Sequence, residues 1–322
     1  MDAEQTELPL RLKVNAVTEL ARGIKGFELV HRGGAPLPSF TPGSHIRVRA
    51  PNGMLRKYSL CNDPADETRY CIAVKREADG RGGSRSLCDD LHAGDNVDSS
   101  LPDNAFALDA GAKSYLFIAG GIGITPILSM IRSFGELPPA PWKLVYLSRH
   151  RDATAFLDEL GARELRDRVT IHHSEGDPKR GFDLWPLLEQ LRPGLHIYCC
   201  GSQRLMSAVK DMTGHWSSRQ VHFESFVEGG QPQPDDQPFR VRLASMGKEF
   251  DVPVGETILQ VLHRNGIKAA SSCESGTCGT CRTRLLEGVA DHRDMVLLPE
   301  EMDTQIMTCV SRAKSDLLVI DL

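Results

Sequence analysis

Through the first hundred residues the apolar positions fall in short β-rich runs: Leu10 to Val17, Ile24 to His31, His45 to Ala50, Lys57 to Cys61 and Tyr70 to Lys75. Turn clusters such as Arg32-Gly33-Gly34 and Pro51-Asn52-Gly53 separate them. Short strands at this spacing predict a sandwich or barrel. A helix is predicted over Ser84 to Leu91, with Ser84 as N-cap. From Lys113 the pattern changes. Strands are predicted at Ser114 to Ala119, Trp142 to Ser148, Val169 to His173 and His196 to Cys200. Helices are predicted between and after them, at Thr125 to Phe134, Ala155 to Leu165, Phe182 to Leu191 and Gln203 to Thr213. This alternation predicts a doubly wound parallel sheet. Glu228 to Pro238 contains no large apolar residue and reads as a solvated linker. Beyond it, Phe239 to Leu243 and Lys248 to Val252 form a hairpin-like pair, and Ile258 to Asn265 a helix. The chain therefore divides into a β-rich domain (1–110), an α/β domain (111–227), a linker (228–238) and a C-terminal domain (239–322).

The length of 322 residues allows two or three separate cores. A net charge of −5 leaves no basic footprint for nucleic acid or an anionic membrane. The most apolar stretch, Ser114 to Ile131, is broken by glycines and Pro126 and reads as strand, turn and helix, not a membrane span. Met1 to Gln5 lacks the basic and apolar regions of a signal peptide.

The chemistry is concentrated in four places. Cys273, Cys278 and Cys281 read C-x4-C-x2-C, and Cys309 follows 28 residues later. This is the spacing of a plant-type [2Fe–2S] site. Small residues between the cysteines let a loop wrap closely and aim N–H groups at sulfur. Structural zinc and free thiols are the alternatives, but zinc sites usually bring two C-x2–4-C pairs. The other cysteines (Cys61, Cys71, Cys88, Cys199, Cys200) have no framework spacing, and free thiols beside an iron–sulfur site point to the cytoplasm.

Arg56-Lys57-Tyr58-Ser59 lies on a predicted strand. Its guanidinium suits a phosphate, its phenol ring a flavin face, and its hydroxyl a flavin nitrogen; an exposed edge strand is the alternative. Gly80 to Ser86, with Arg81, Gly82, Gly83, Ser84 and Arg85, precedes a helix and makes an anion site or a solvated turn. Gly120-Gly121-Ile122-Gly123 links a strand to a helix, as close approach to a pyrophosphate requires, although it is not G-x-G-x-x-G. Cys200-Gly201 ends the last parallel strand, where open α/β sheets bind ligands. Cys200 can lie near a nicotinamide or be a small core residue.

These segments in this order resemble the ferredoxin–NADP⁺ reductase superfamily. With the cysteine module at the C-terminus, the whole chain resembles the phthalate dioxygenase reductase family. The likeness extends through Ala73-Val74-Lys75-Arg76, Asp211 to Trp216, His222 to Phe226, Ser271 to Gly279, Asp291 to Leu297 and Gln305 to Met307. It implies an antiparallel β-barrel flavin domain, an α/β nucleotide domain and an α+β ferredoxin-like (β-grasp) domain. It implies FMN bound by Arg56, Lys57, Tyr58, Ser59, Ala73, Val74, Lys75, Arg81, Gly82, Gly83, Ser84, Thr125 and Phe226. NADH would meet Gly120, Gly121, Gly123, Cys200 and Gly201, with Glu224 also near the nicotinamide. The implied partner is a Rieske-type oxygenase, and the chain is expected to be a monomer. No side chain need act as acid or base, because the cofactors carry the redox chemistry. Two features depart from or qualify the pattern. Ser202 stands where the superfamily usually has proline after cysteine–glycine, and Ser148-Arg149-His150-Arg151 carries arginines that would suit NADPH. Reductases of O-demethylases or hydroxylases, and a redox sensor, are the competing readings. No segment remains to serve as a sensor's output module.

Overall fold

The structure, a computed structural model, describes residues 8–135, 138–227, 229 and 233–322. They form two compact units, one ending at His222 and the other running from Phe223 to Leu322.

The first unit opens with strands β1 (Leu10–Ala21), β2 (Ile24–His31), β3 (His45–Arg49), β4 (Leu55–Ser59) and β5 (Arg69–Lys75), then helix α1 (Gly83–Asp90) and strand β6 (Asn96–Ser99). The antiparallel order is β4-β3-β6-β1-β2-β5. The two edge strands meet where Leu60 bridges to Ile72, and the Cys61 N–H donates to the Cys71 carbonyl at 2.9 Å. That closure makes the sheet a barrel, as expected, and pairs backbone that an open edge would leave exposed. Register shifts in β1 at Val14/Ala16 and Glu19/Ala21 let one long strand curve around it. Inward residues of alternating strand positions, among them Leu12, Val14, Phe27, Leu29, Ile46 and Val48, make the core, and Leu87 of α1 joins it. Each such side chain contributes on the order of 1.5–3 kcal/mol by leaving water. Strand β6 was not foreseen; its four residues, Asn-Val-Asp-Ser, are too few and too polar to announce a strand.

The same unit continues as β7 (Ser114–Gly120), α2 (Ile124–Ser133), β8 (Trp142–Ser148), α3 (Leu157–Leu160), β9 (Val169–His173), α4 (Trp185–Leu188), β10 (Leu195–Cys200), α5 (Gln203–Met212) and β11 (Val221–Glu224), whose last residues pass into the second unit. The sheet order is β11-β10-β7-β8-β9, and β10, β7, β8 and β9 are parallel. Strand β10 is buried throughout, and β7 from Tyr115 to Ala119, because helices cover both faces of such a sheet. Two helices are much shorter than expected. Residues 155–165 form only α3 and a 3₁₀ turn, because Phe156 is left-handed (φ 59°) and Gly161 interrupts the run. Residues 182–191 form only α4: Pro186 is tolerated in a first turn, so the helix cannot begin much earlier.

The second unit contains β12 (Phe239–Leu243), β13 (Lys248–Val252), α6 (Ile258–Arg264), β14 (Arg282–Glu287), β15 (Ala290–Asp291), β16 (Gln305–Met307), β17 (Arg312–Ala313) and β18 (Leu317–Ile320). The five-stranded order is β13-β12-β18-β14-β16, parallel only between β12 and β18, and β15 pairs with β17. Helix α6 begins with a capping box in which Thr257 and Gln260 satisfy each other's backbone N–H groups. Its Ile258, Val261 and Leu262 pack on Val241, Leu243 and Leu318.

Residues 233–235, 237 and 238 of the expected linker are exposed, but one side chain among them is tied down. Asp236 is 3 % exposed and pairs with Arg293, while Arg312 lies 3.8 Å away. Arg312 donates to the carbonyls of Gln237 (2.9 Å) and Glu256 (2.6 Å) and stacks on Phe239. Nearer the start, the Gly229 N–H donates to the Glu274 carbonyl at 2.8 Å. Composition marks this segment as unable to form a core, but not that two arginines further along would bury its carboxylate. Residues 228 and 230–232 lie outside the described residues. Among the described residues, no helix is long and apolar enough to cross a membrane.

Candidate cofactor and cluster sites

The period-2 alternation of β4 puts Arg56 and Tyr58 on one face and Lys57 and Ser59 on the other. Tyr58 leans half-buried on the barrel core, and burial pushes its hydroxyl pKa well above the ordinary range. Ser59 is buried. Arg56 donates to the Leu55 carbonyl at 2.7 Å and lies across the first residue of α1: a Cβ on Gly83 would stand 2.8 Å from Arg56 Cγ and 2.9 Å from its Nε. Helix α1 starts after Gly82 (φ 97°) with no side-chain cap, so its first N–H groups remain available to an anion. Arg81 is exposed beside it, and Ser84 Oγ accepts from the Glu77 N–H at 3.2 Å. The structure thus brings Arg56 and the glycine loop together. One residue that pattern reading missed holds the loop: Asn52 donates from Nδ2 to the Gly82 carbonyl (3.3 Å) and from its backbone to Ser86 Oγ (3.1 Å). Asn52 belonged to a turn signal only, so nothing in the sequence marked it.

In β5, Val74 is committed to the barrel core, leaving only its backbone for a ligand, and Lys75 pairs with Glu77 at 2.6 Å on the surface. Ala73 instead packs with Ile24 against Ala155, Ile122 and Phe156 of the α/β half.

The glycine turn is built by close approach. A Cβ on Gly123 would lie 2.2 Å from the Cys200 carbonyl oxygen and 2.8 Å from the Gly201 nitrogen. Gly201 in turn lies against Gly120, where a Cβ would meet Gly120 Cα at 3.0 Å. Gly121 has φ 55°. The carboxyl ends of adjacent strands β7 and β10 are therefore pressed together beside the start of α2. Cys200 is fully buried. Ser202 caps α5, accepting from the Leu205 N–H at 3.4 Å, with φ −66°, a value a proline would also hold. The turn keeps its place without proline. Thr125 is buried, and its hydroxyl donates to the Ile122 carbonyl at 3.0 Å. At the edge of the sheet, His150 pairs with Glu175 at 3.1 Å, and Arg151 lines a cavity of about 370 Å³ with Leu157, Asp158, Gly161, Ile171 and His173. Glu224 and Phe226 belong to the second unit; Glu224 is buried and Phe226 half-buried.

In the second unit, register assembles the cysteines. Strand β14 pairs with β16 so that Arg282 faces Met307, and the Thr308 N–H donates to the Cys281 carbonyl at 3.4 Å. Cys281 and Cys309 are thereby neighbours, packed among Leu259, Leu297, Met307 and Val310. Cys273 Sγ accepts from the backbone N–H groups of Ser275 and Thr277, each at 3.4 Å. Cys278 Sγ lies 3.2 Å from Thr280 Oγ1. Hydrogen bonds from Cys278 and Cys309 draw the Cys273 thiol far below its ordinary pKa, and Cys309 likewise lowers Cys281. The same contacts raise Cys278 and Cys309. The fit to a cluster rests on four neighbouring sulfurs, inward N–H donors and an apolar shell, which together suit thiolate ligation of two irons.

A family model for 2Fe-2S iron–sulfur cluster binding domains matches residues 241–314, and one for oxidoreductase NAD-binding domains matches residues 117–211. The reductase subunit of phthalate 4,5-dioxygenase from Pseudomonas putida is 52% identical over 97% of this chain and 96% of its own. Phthalate dioxygenase reductase from Burkholderia cepacia is 51% identical over the whole of both chains. The chain belongs to the phthalate dioxygenase reductase family. A solved phthalate dioxygenase reductase, described as a modular structure for electron transfer from pyridine nucleotides to [2Fe-2S], matches with TM-score 0.72 and 52% identity, covering 97% of this chain and 98% of that one. Like its relatives, this reductase-family chain is an oxidoreductase with an NAD-binding and a [2Fe–2S]-binding domain.

Proposed function

We propose that this chain is the NADH-dependent reductase of a Rieske-type aromatic-ring oxygenase acting on phthalate, working as a monomer in the cytoplasm. Two electrons enter as hydride from NADH, pass through FMN to a [2Fe–2S] cluster, and leave singly. FMN supplies the step between two-electron and one-electron chemistry. The observation that carries the reading is the arrangement within the first unit, where Arg56 lies over the uncapped start of α1 and β5 packs against the Gly121–Gly123 turn.

In this reading Arg56, Arg81, Gly82, Gly83 and Ser84 hold the terminal phosphate of FMN, which suits a mononucleotide. Tyr58, Ser59, Ala73 and Thr125 border the ring, Lys57 and Lys75 flank the strands, and Val74 offers its backbone. Gly120, Gly121, Gly123, Cys200 and Gly201 receive the nicotinamide end of NADH. Asp158 and Glu175 stand among the basic residues of the sheet edge and disfavour a 2′-phosphate, which supports NADH over NADPH. Cys273, Cys278, Cys281 and Cys309 ligate the cluster.

Reconstitution tests this directly. The holoprotein mixed with a purified phthalate dioxygenase should form one dihydrodiol per NADH consumed. NADH oxidation with no product from phthalate, but with product from an O-demethylase component, would move the assignment to that partner.

A further inference from the structure

The barrel and the parallel sheet meet along a strip to which both cofactor sites contribute. Ala73 and Ile24 pack against Ala155, Phe156 and Ile122. Two arginines tie the halves across that strip. Arg22 pairs with Asp152 at 2.8 Å, but the two side chains are 66% and 61% exposed, and such surface pairs are screened and weak. Arg132 differs. It sits in the last turn of α2, the helix that opens beside the glycine turn, and its side chain is 28% exposed. Nη1 donates to the Cys61 carbonyl at 2.6 Å, and Nε and Nη2 donate to the two Glu159 oxygens at 2.9 and 2.6 Å. Its Cζ lies 5.6 Å from the centre of the Phe156 ring.

The Cys61 carbonyl is a telling place for that contact. Cys61 is two residues beyond Ser59, and its own N–H donates to Cys71, two residues before Ala73. One guanidinium therefore grips the point where the barrel closes and where both flavin strands meet. It does so from the helix that carries Thr125. A guanidinium fork fixes all these directions together, which a flexible ammonium would not.

We propose that Arg132 is a positioning residue for hydride transfer, holding the flavin strands β4 and β5 in register with the nucleotide turn. The inference rests on the function proposed above. In the step it serves, the C–H bond at nicotinamide C4 breaks and an N–H bond forms at flavin N5. NADH is oxidised and the flavin reduced by two electrons. Arg132 gives and takes no proton. Its role is the separation and angle of the reacting atoms, where a misplacement of about 1 Å costs on the order of a hundredfold.

The test is anaerobic rapid mixing of full-length Arg132→Met holoprotein with NADH and with NADH deuterated at C4. The limiting rate of flavin reduction, per bound flavin, should fall by about tenfold or more, with a deuterium effect at least as large as wild type. Dissociation constants for NADH and FMN should stay within about threefold, and the cluster should still reduce fully with dithionite. A residue that merely stabilised the fold would lower thermal stability or flavin content and leave the rate per bound flavin unchanged. Arg132→Lys should recover part of the lost rate. If Arg132→Met does not retain flavin, Arg132→Lys decides, because an ammonium cannot hold the Cys61 carbonyl and Glu159 together as the fork does. A wild-type limiting rate in the deciding variant, or a loss confined to KM, overturns the inference. Failure of the wild-type protein to be reduced by NADH would instead overturn the proposed function.

Discussion

Gly123→Ala isolates the geometry of the nucleotide turn. Gly123 has an ordinary helical φ of −62°, so alanine suits its backbone and the only obstacle is space. The added Cβ would sit 2.2 Å from the Cys200 oxygen and 2.5 Å from the Cys200 carbonyl carbon. Both are backbone atoms of a strand paired residue by residue with β7, from Leu195↔Ser114 to Cys200↔Ala119, and cannot rotate aside. Overpacking of this kind costs typically about 1–3 kcal/mol, and rigid neighbours put this case near the upper end. At about 2–4 °C per kcal/mol for a unit of this size, the first unit should melt roughly 6–12 °C lower. The turn must also swing away from β10, so NADH affinity should fall by about tenfold or more, each factor of ten being about 1.4 kcal/mol. Flavin content and iron content should stay unchanged. Gly135→Ala, beyond the far end of α2, is the control. At φ 55°, with nothing within 4 Å of an added Cβ, it carries only left-handed strain, about 1–2 kcal/mol, and should leave the NADH Kd within about twofold. Differential scanning calorimetry and NADH titration of the two variants make the comparison. Wild-type NADH binding in Gly123→Ala would show that the contact between the strand ends does not shape the nucleotide site.

Further outcomes follow from the other sites. Arg56→Ala should weaken FMN by roughly ten- to a hundredfold, the worth of one charge-assisted contact of about 1.5–3 kcal/mol, measured by fluorescence of released flavin; an unchanged Kd would make Arg56 a strand-edge residue only. Cys278→Ala should abolish the cluster's visible absorbance while FMN remains, and two irons per chain in that variant would refute the ligand set. Burial, then neighbouring His196, pushes the His222 pKa down to about 4. The unfolded imidazole titrates near 6.5, so the unfolded state binds more protons between those values, and the first unit should lose stability as pH falls from about 6.5 to 4. His222→Gln should flatten that part of the melting curve.

Much of the architecture was legible because its period was clean. The span Ile24 to His31 was read to the residue, as was Trp142 to Ser148, since apolar runs bounded by glycine or proline leave little choice. Helices 155–165 and 182–191 were overextended because Phe156's left-handed backbone and the position of Pro186 are settled by packing, which periodicity does not register. The strands after residue 280 were invisible for a related reason. Segments such as Arg312–Ala313 are strands only because a partner lies opposite. At the sites, cysteine spacing and the glycines carried their meaning in the sequence. Asn52, Arg132 and Asp236 did not, because each acts through a partner 30 or more residues away and has no local signature.

The burial of Asp236 makes the second unit sensitive to acid. Its hydrogen bond to Arg293 holds the carboxyl below the ordinary carboxylate range, so the unfolded chain takes up that proton more readily than the folded unit does. The stability this pair contributes is fully present above the unfolded value of about 3.9 and is lost as pH falls through the lower folded one. Asp236→Asn should flatten the acid limb of the second unit's melting curve, and an unchanged acid limb would show that the pair adds nothing.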